Sequence, residues 1–134
     1  MRLVVADASA LVEYLLRTRR AQALAGAIEA ADVLLLVPAL CDVEVAAALR
    51  RAVLGTRIAA VRAAEALGDY LDLPLTRYGH ALLFGRVWQL RSNFSAYDAV
   101  YVALAERVHA SLITADVALA RAVSKHTAVE VLEP

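Results

Sequence analysis

Residues 3–11 read L-V-V-A-D-A-S-A-L. A valine-rich apolar run ends on an acid, and helix-forming residues follow with no turn residue between. Such a run has the character of a buried strand. An aspartate at its end suits the start of a helix, where its carboxylate accepts from the first free N–H groups. The stretch therefore predicts a strand over 2–6, a junction at Asp7 and a helix from 8. The pattern returns at S111-L-I-T114, followed by A115-D116. Two strands that end on acids and lead into helices set the frame for the rest of the chain.

Outward from these junctions, strands are expected at 33–37, 73–76 and 127–132. Helices are expected at 8–17 and 19–31 with a bend near Thr18, at 39–53 and 57–71 with Gly55 between, and at 79–91, 96–109 and 117–124. Thr56 is the expected N-cap of the second helix of the middle pair. Strands alternating with helices define an α/β protein with a mainly parallel sheet of four to five strands. In such sheets ligands bind beyond the carboxyl ends of the strands.

The chain has 134 residues, which suits one domain over 1–134. Its hydrophobic fraction is 61%, high enough that some apolar surface is expected to meet a partner or a second copy. No apolar stretch approaches the roughly 20 residues needed to cross a bilayer. The start, M-R-L-V-V-A-D, meets an acid too early for a signal-peptide core, so a cytoplasmic protein without membrane association is expected. The lone cysteine, Cys41, has no partner for a disulfide and reads as a buried, inert thiol. Fourteen basic and 14 acidic residues cancel, so charge gives no global sign of nucleic acid. Thirteen of the basic residues are arginine, whose fork matches phosphate.

Taken singly, the acids have ordinary roles. Asp7 and Asp116 read as N-caps. Asp98 follows Ser95 in S95-A-Y-D98, a capping-box spacing. Glu44 is harder to dismiss: its neighbours one turn away, Leu40, Cys41, Ala47 and Ala48, are apolar. A carboxylate so placed lies at a surface edge or is buried for a purpose. Asp42 has similar flanks, so spacing does not single out Glu44. Taken together, acids gathered at one sheet edge repel and raise one another's pKa values. A divalent cation relieves that repulsion, and Mg²⁺ or Mn²⁺ prefers such oxygen donors.

Four motifs carry a resemblance: L3-V-V-A-D-A-S-A-L11, V37-P-A-L-C-D-V-E44, Y97-D-A-V-Y-V-A-L-A-E106 and L112-I-T-A-D116. In this order and spacing the chain resembles the PIN-domain ribonucleases, and within them the VapC-type toxins of bacterial toxin–antitoxin pairs. The resemblance implies a PIN-like three-layer α/β/α sandwich and a Mg²⁺-dependent endoribonuclease, with Mn²⁺ as substitute. It implies Asp7, Glu44, Asp98 and Asp116 as the catalytic, metal-holding acids. Asp7 and Asp98 are the principal ligands it implies, with Asp116 a third. Glu44 binds metal directly or through water, or orients the attacking water. Ser9 and Thr114 match the small hydroxyl residues that support the site. Whether one or two ions act is left open.

The same resemblance implies RNA as substrate, a cognate antitoxin lying on an apolar groove, and a homodimer, extending to a heterotetramer or larger with antitoxin. The helices 39–53 and 57–71 are candidates for the groove, and 79–91 for core and dimer together. Arg17, Arg19 and Arg20, beyond the first helix, are candidates for RNA phosphates at the rim. The alternative is a non-catalytic binding module of the same fold, holding a protein partner through the groove, with the acids as caps. A phosphotransfer domain with Asp7 as acceptor is disfavoured, because the only lysine, Lys125, falls late in a helix.

Overall fold

A computed structural model describes residues 1–132. Glu133 and Pro134, the end of the expected 1–134 domain, lie outside the described residues. Five strands, β1 (Arg2–Ala6), β2 (Val33–Pro38), β3 (Thr76–Tyr78), β4 (Ser111–Ile113) and β5 (Val131–Leu132), form one sheet in the order β3-β2-β1-β4-β5. Every pairing is parallel; Val5 lies opposite Leu36 on one side and Leu112 on the other. The chain order therefore reverses between β1 and β4. A crevice opens at such a reversal, beyond the carboxyl ends of the two strands.

Among the described residues seven α-helices flank the sheet: α1 (Ala8–Leu15), α2 (Ala21–Glu29), α3 (Leu40–Leu54), α4 (Ala60–Asp72), α5 (Phe84–Gln89), α6 (Ala96–Val108) and α7 (Val117–His126). Parallel crossovers are right-handed as a rule, and with the chain running to either side of β1 this puts helices on both faces, in three layers. Helix α1 packs on α2, α3 and α4, while α6 lies across β1, β2 and β4. Helix α6 is apolar nearly all round, and Ala99 through Leu104 and Ala105 are all buried. Such a helix belongs at the centre of a domain. The core runs continuously from Val4 and Val5 through Leu36 and Leu112 to Leu104 and Tyr101.

Several boundaries move, each for a local reason. Helix α1 stops at Leu15, because Arg17 takes a left-handed φ of 55° and turns the chain. Thr56 does not cap α4. It has a φ of 56°, its hydroxyl donates to the Gly55 carbonyl, and α4 starts later, after Ala59. The third strand begins after Pro74 rather than before it, since proline has no N–H for the ladder. The stretch 79–91 is a 3-10 turn, Ala81–Leu83, followed by the six-residue α5, not one helix. The last strand shrinks to two residues because Thr127 ties the chain to α7. Its hydroxyl donates to the Val123 carbonyl at 2.8 Å and accepts from Val129 N–H at 3.1 Å.

Candidate functional site

Asp7 caps α1 as its position predicts, and Ala10 N–H donates to Oδ1 at 3.0 Å. Two hydroxyls add to it: Ser9 donates to Oδ1 and Thr114 to Oδ2, each at 2.7 Å. Thr114 comes from the end of β4, so this bond ties the two strands that border the crevice. Asp7 is 6% exposed and Thr114 2%. Burial raises the Asp7 pKa above its ordinary 3.8 against the pull of these hydrogen bonds, and the Asp116 charge raises it further.

Asp116 is exposed and caps α7, accepting from Leu119 N–H at 3.1 Å. Its own N–H donates to Thr114 Oγ1 at 3.0 Å, and Ala115 N–H donates to Ser9 Oγ at 3.1 Å. The loop after β4 thus rests on the hydroxyls that hold Asp7. Arg20 reaches the same loop, donating to the Ala115 carbonyl at 2.7 Å.

Ser95 caps α6 and accepts from Asp98 N–H at 3.1 Å. The Asp98 carboxylate accepts no hydrogen bond among the described residues and lies half-buried at the start of α6. Burial raises its pKa, and Asp116 adds to the rise. Glu44, one turn into α3, is also half-buried; burial raises its pKa above 4.5, and the Asp98 charge raises it further. Tyr101 donates to its Oε1 at 2.6 Å. The acids therefore form a chain of electrostatic neighbours, Asp7 to Asp116 to Asp98 to Glu44. Among the described residues no three Asp, Glu, His or Cys side chains already stand together at metal-ligand distance. In chemical type the donor set nonetheless suits a hard cation: the donors are carboxylates, of which Asp7 is held by the Ser9 and Thr114 hydroxyls and Asp98 accepts no hydrogen bond among the described residues.

Asp42 separates from Glu44 once its partners are seen. It accepts from Tyr70 at 2.6 Å and from Arg77 at 2.9 Å, and its pKa falls below 3.8 through those bonds, against its burial. It is a paired structural acid. Cys41 is fully buried, and burial pushes its thiol up to about 11. His80 has a placement no spacing reveals: its Nε2 accepts from Leu40 N–H at 2.9 Å, at the start of the helix that carries Glu44. Of the three arginines, Arg20 stands beside the acidic site, Arg19 is exposed, and Arg17 lines a separate groove of about 530 Å³ with Tyr14, Glu29 and Asp69. Tyr101 and His80 were not legible as site residues, because each acts on a helix distant in sequence.

The PIN domain family model matches residues 4–125. VapC9, a ribonuclease of Mycobacterium tuberculosis, is 43% identical over 87% of this chain and 88% of its own length. Among solved structures, VapBC2 from Rickettsia felis, bound to a DNA fragment from its promoter, superposes with a TM-score of 0.72 at 10% identity, covering 98% of each chain. VapC20 of Mycobacterium tuberculosis, a toxin that cleaves the sarcin-ricin loop, superposes with a TM-score of 0.67 at 15% identity, over 89% of this chain and 94% of its own. These two share the fold. The chain belongs to the PIN domain family, in its VapC group. No described helix is long and apolar enough to cross a membrane.

Proposed function

We propose that this chain, acting as a single PIN domain over 1–134, is a Mg²⁺-dependent endoribonuclease and the toxin of a toxin–antitoxin pair. The observation that supports the reading is the link across the β1/β4 crevice, where Thr114 donates to Asp7 Oδ2 at 2.7 Å and accepts from the Asp116 N–H at 3.0 Å. In this reading Asp7, Asp98 and Asp116 hold the cation, Ser9 and Thr114 fix Asp7, and Glu44 joins them directly, through water, or by orienting the attacking water. Mg²⁺, or Mn²⁺ in its place, supplies positive charge against the scissile phosphate and makes a water more acidic. The water oxygen would bond to phosphorus as one ester P–O bond breaks, its proton passing to solvent and the leaving oxygen taking a proton from solvent. Arg20, with N–H groups to spare beyond its bond to Ala115, meets a neighbouring phosphate, with Arg17 and Arg19 further along the rim.

An antitoxin tail lies on the apolar groove between α3 and α4, about 280 Å³ and lined by Ala46, Leu49, Val53, Ala63 and Leu67. Its basic residue neutralises the acids. A homodimer forms through the exposed Leu82 and, on α5, Phe84 and Trp88, and grows to a heterotetramer or larger with antitoxin. The protein works in the cytoplasm.

The test is cleavage of single-stranded RNA by purified protein. Asp98→Asn is expected to lose at least about a hundredfold in rate with unchanged circular dichroism. EDTA is expected to stop the wild type, and Mn²⁺ or Mg²⁺ to restore it. If Asp98→Asn and Asp7→Asn both cleave like wild type, the acids are caps only and the metal-site reading fails; if the wild type cleaves no RNA, the binding-module alternative takes over.

A further inference from the structure

Asp98 and Tyr101 stand one turn apart on α6, on the same face of the helix. Cys41 and Glu44 stand one turn apart on α3. The two helices come together so that the Tyr101 hydroxyl meets Glu44 while the Asp98 charge is felt by the same carboxylate. Tyr101 is 2% exposed, and Cys41, one turn before Glu44 on α3, is wholly buried. Water does not reach the ring to offer the phenol a choice of partners. Its hydroxyl therefore has one strong acceptor, Glu44 Oε1, at 2.6 Å. Among the described residues Glu44 has no other hydrogen-bond donor, so this single bond fixes how the carboxylate is turned. A glutamate with three free torsions, on a half-exposed helix face, otherwise samples several rotamers.

We propose that Tyr101 is a positioning residue of the acidic site: its hydroxyl clamps Oε1 of Glu44 and leaves Oε2 as the oxygen offered to the divalent ion and its water. The proposal rests on the metal-nuclease reading above. Helix α6 then serves the site twice, with Asp98 presented at its open end and Tyr101 setting Glu44 from within the core. Because the rest of the ring only packs, Tyr101→Phe removes the clamp and keeps the core volume.

The experiment is a double-mutant cycle on Mn²⁺ affinity, measured by titration calorimetry in wild type, Tyr101→Phe, Glu44→Ala and the double variant. Steady-state cleavage of a single-stranded RNA is followed in parallel. Tyr101→Phe is expected to weaken Mn²⁺ binding about tenfold and to lower kcat about tenfold, with KM for RNA unchanged. In the Glu44→Ala background it is expected to change neither. An unaltered Mn²⁺ affinity in Tyr101→Phe overturns the proposal. So does a loss of the same size in the Glu44→Ala background, which means the hydroxyl serves the fold alone. A second readout leaves Tyr101 in place. In protein labelled with 3-fluorotyrosine, Mg²⁺ is expected to shift the Tyr101 resonance in wild type and not in Glu44→Ala; a resonance that ignores Mg²⁺ in both overturns the proposal even if Tyr101→Phe fails to fold. Absence of Mn²⁺ binding in wild type, or full cleavage by both Asp98→Asn and Asp7→Asn, instead removes the metal-site reading itself, so the two failures are distinct.

Discussion

Asp98 is the acid with the least to do in holding the chain together. Its backbone N–H, not its carboxylate, takes part in the cap of α6. Burial and Asp116 raise its pKa above the ordinary 3.8. A raised folded pKa means the folded state favours the proton. The stability this contributes is complete below the unfolded value of 3.8 and is lost as pH climbs through the folded value. Asp98→Asn, which does not ionise, is therefore expected to gain in Tm on metal-free wild type as pH rises above 3.8, the gain levelling off once Asp98 is ionised in both states. A Tm difference that stays flat as pH rises contradicts the crowding of Asp98 by Asp116. Asp7 is the opposite case: its two oxygens serve Ala10, Ser9 and Thr114. Asp7→Ala is expected to cost about 1–3 kcal/mol in urea unfolding, since it removes a cap and strands two hydroxyls. Asp7→Asn is expected to cost less, because the Thr114 hydroxyl can turn to accept from the amide.

At the scale of elements, the helix starts decide where the acids stand. Ser95→Ala is expected to destabilise by about 1 kcal/mol, and Ser95→Thr by much less, since the threonine hydroxyl caps as well. The loss of RNA cleavage in Ser95→Ala is expected to exceed what that stability change explains, because Asp98 rides on the first turn that Ser95 fixes. Equal activity at a temperature well below both melting points argues against that coupling. Helix α3 is anchored differently. His80 takes the Leu40 N–H at its start, and Asp42 is gripped by Tyr70 from α4 and Arg77 from β3. These contacts fix the turn of α3 about its axis, and with it the direction in which Glu44 points.

For the whole molecule, the sheet order β3-β2-β1-β4-β5 brings Asp7 and Asp116, which follow β1 and β4, to the borders of one crevice in a chain of zero net charge. A cation that binds only the folded chain stabilises it by mass action. Mg²⁺ or Mn²⁺ at about a hundred times its Kd is expected to add about 2.7 kcal/mol and to raise Tm by several degrees. The rise is expected to vanish in Asp98→Asn, and calorimetric melting with and without EDTA measures it. Much of the fold was legible in the sequence. The apolar run at 3–6 and the acids at 7 and 116 gave strands, caps and an edge, because strand periodicity and capping are local and need only a few neighbouring residues. The same local logic misplaced Thr56, whose hydroxyl looked like a cap but whose backbone turned left-handed to join α3 and α4. What tertiary structure alone decided is which acids have partners. Asp42 and Glu44 look alike two residues apart, and only folding brings Tyr70 and Arg77 to one and Tyr101 to the other. Those donors lie 28 to 57 positions away along the chain. No window of neighbouring residues contains them, because side-chain pairing across a core depends on how helices pack and not on how each one forms.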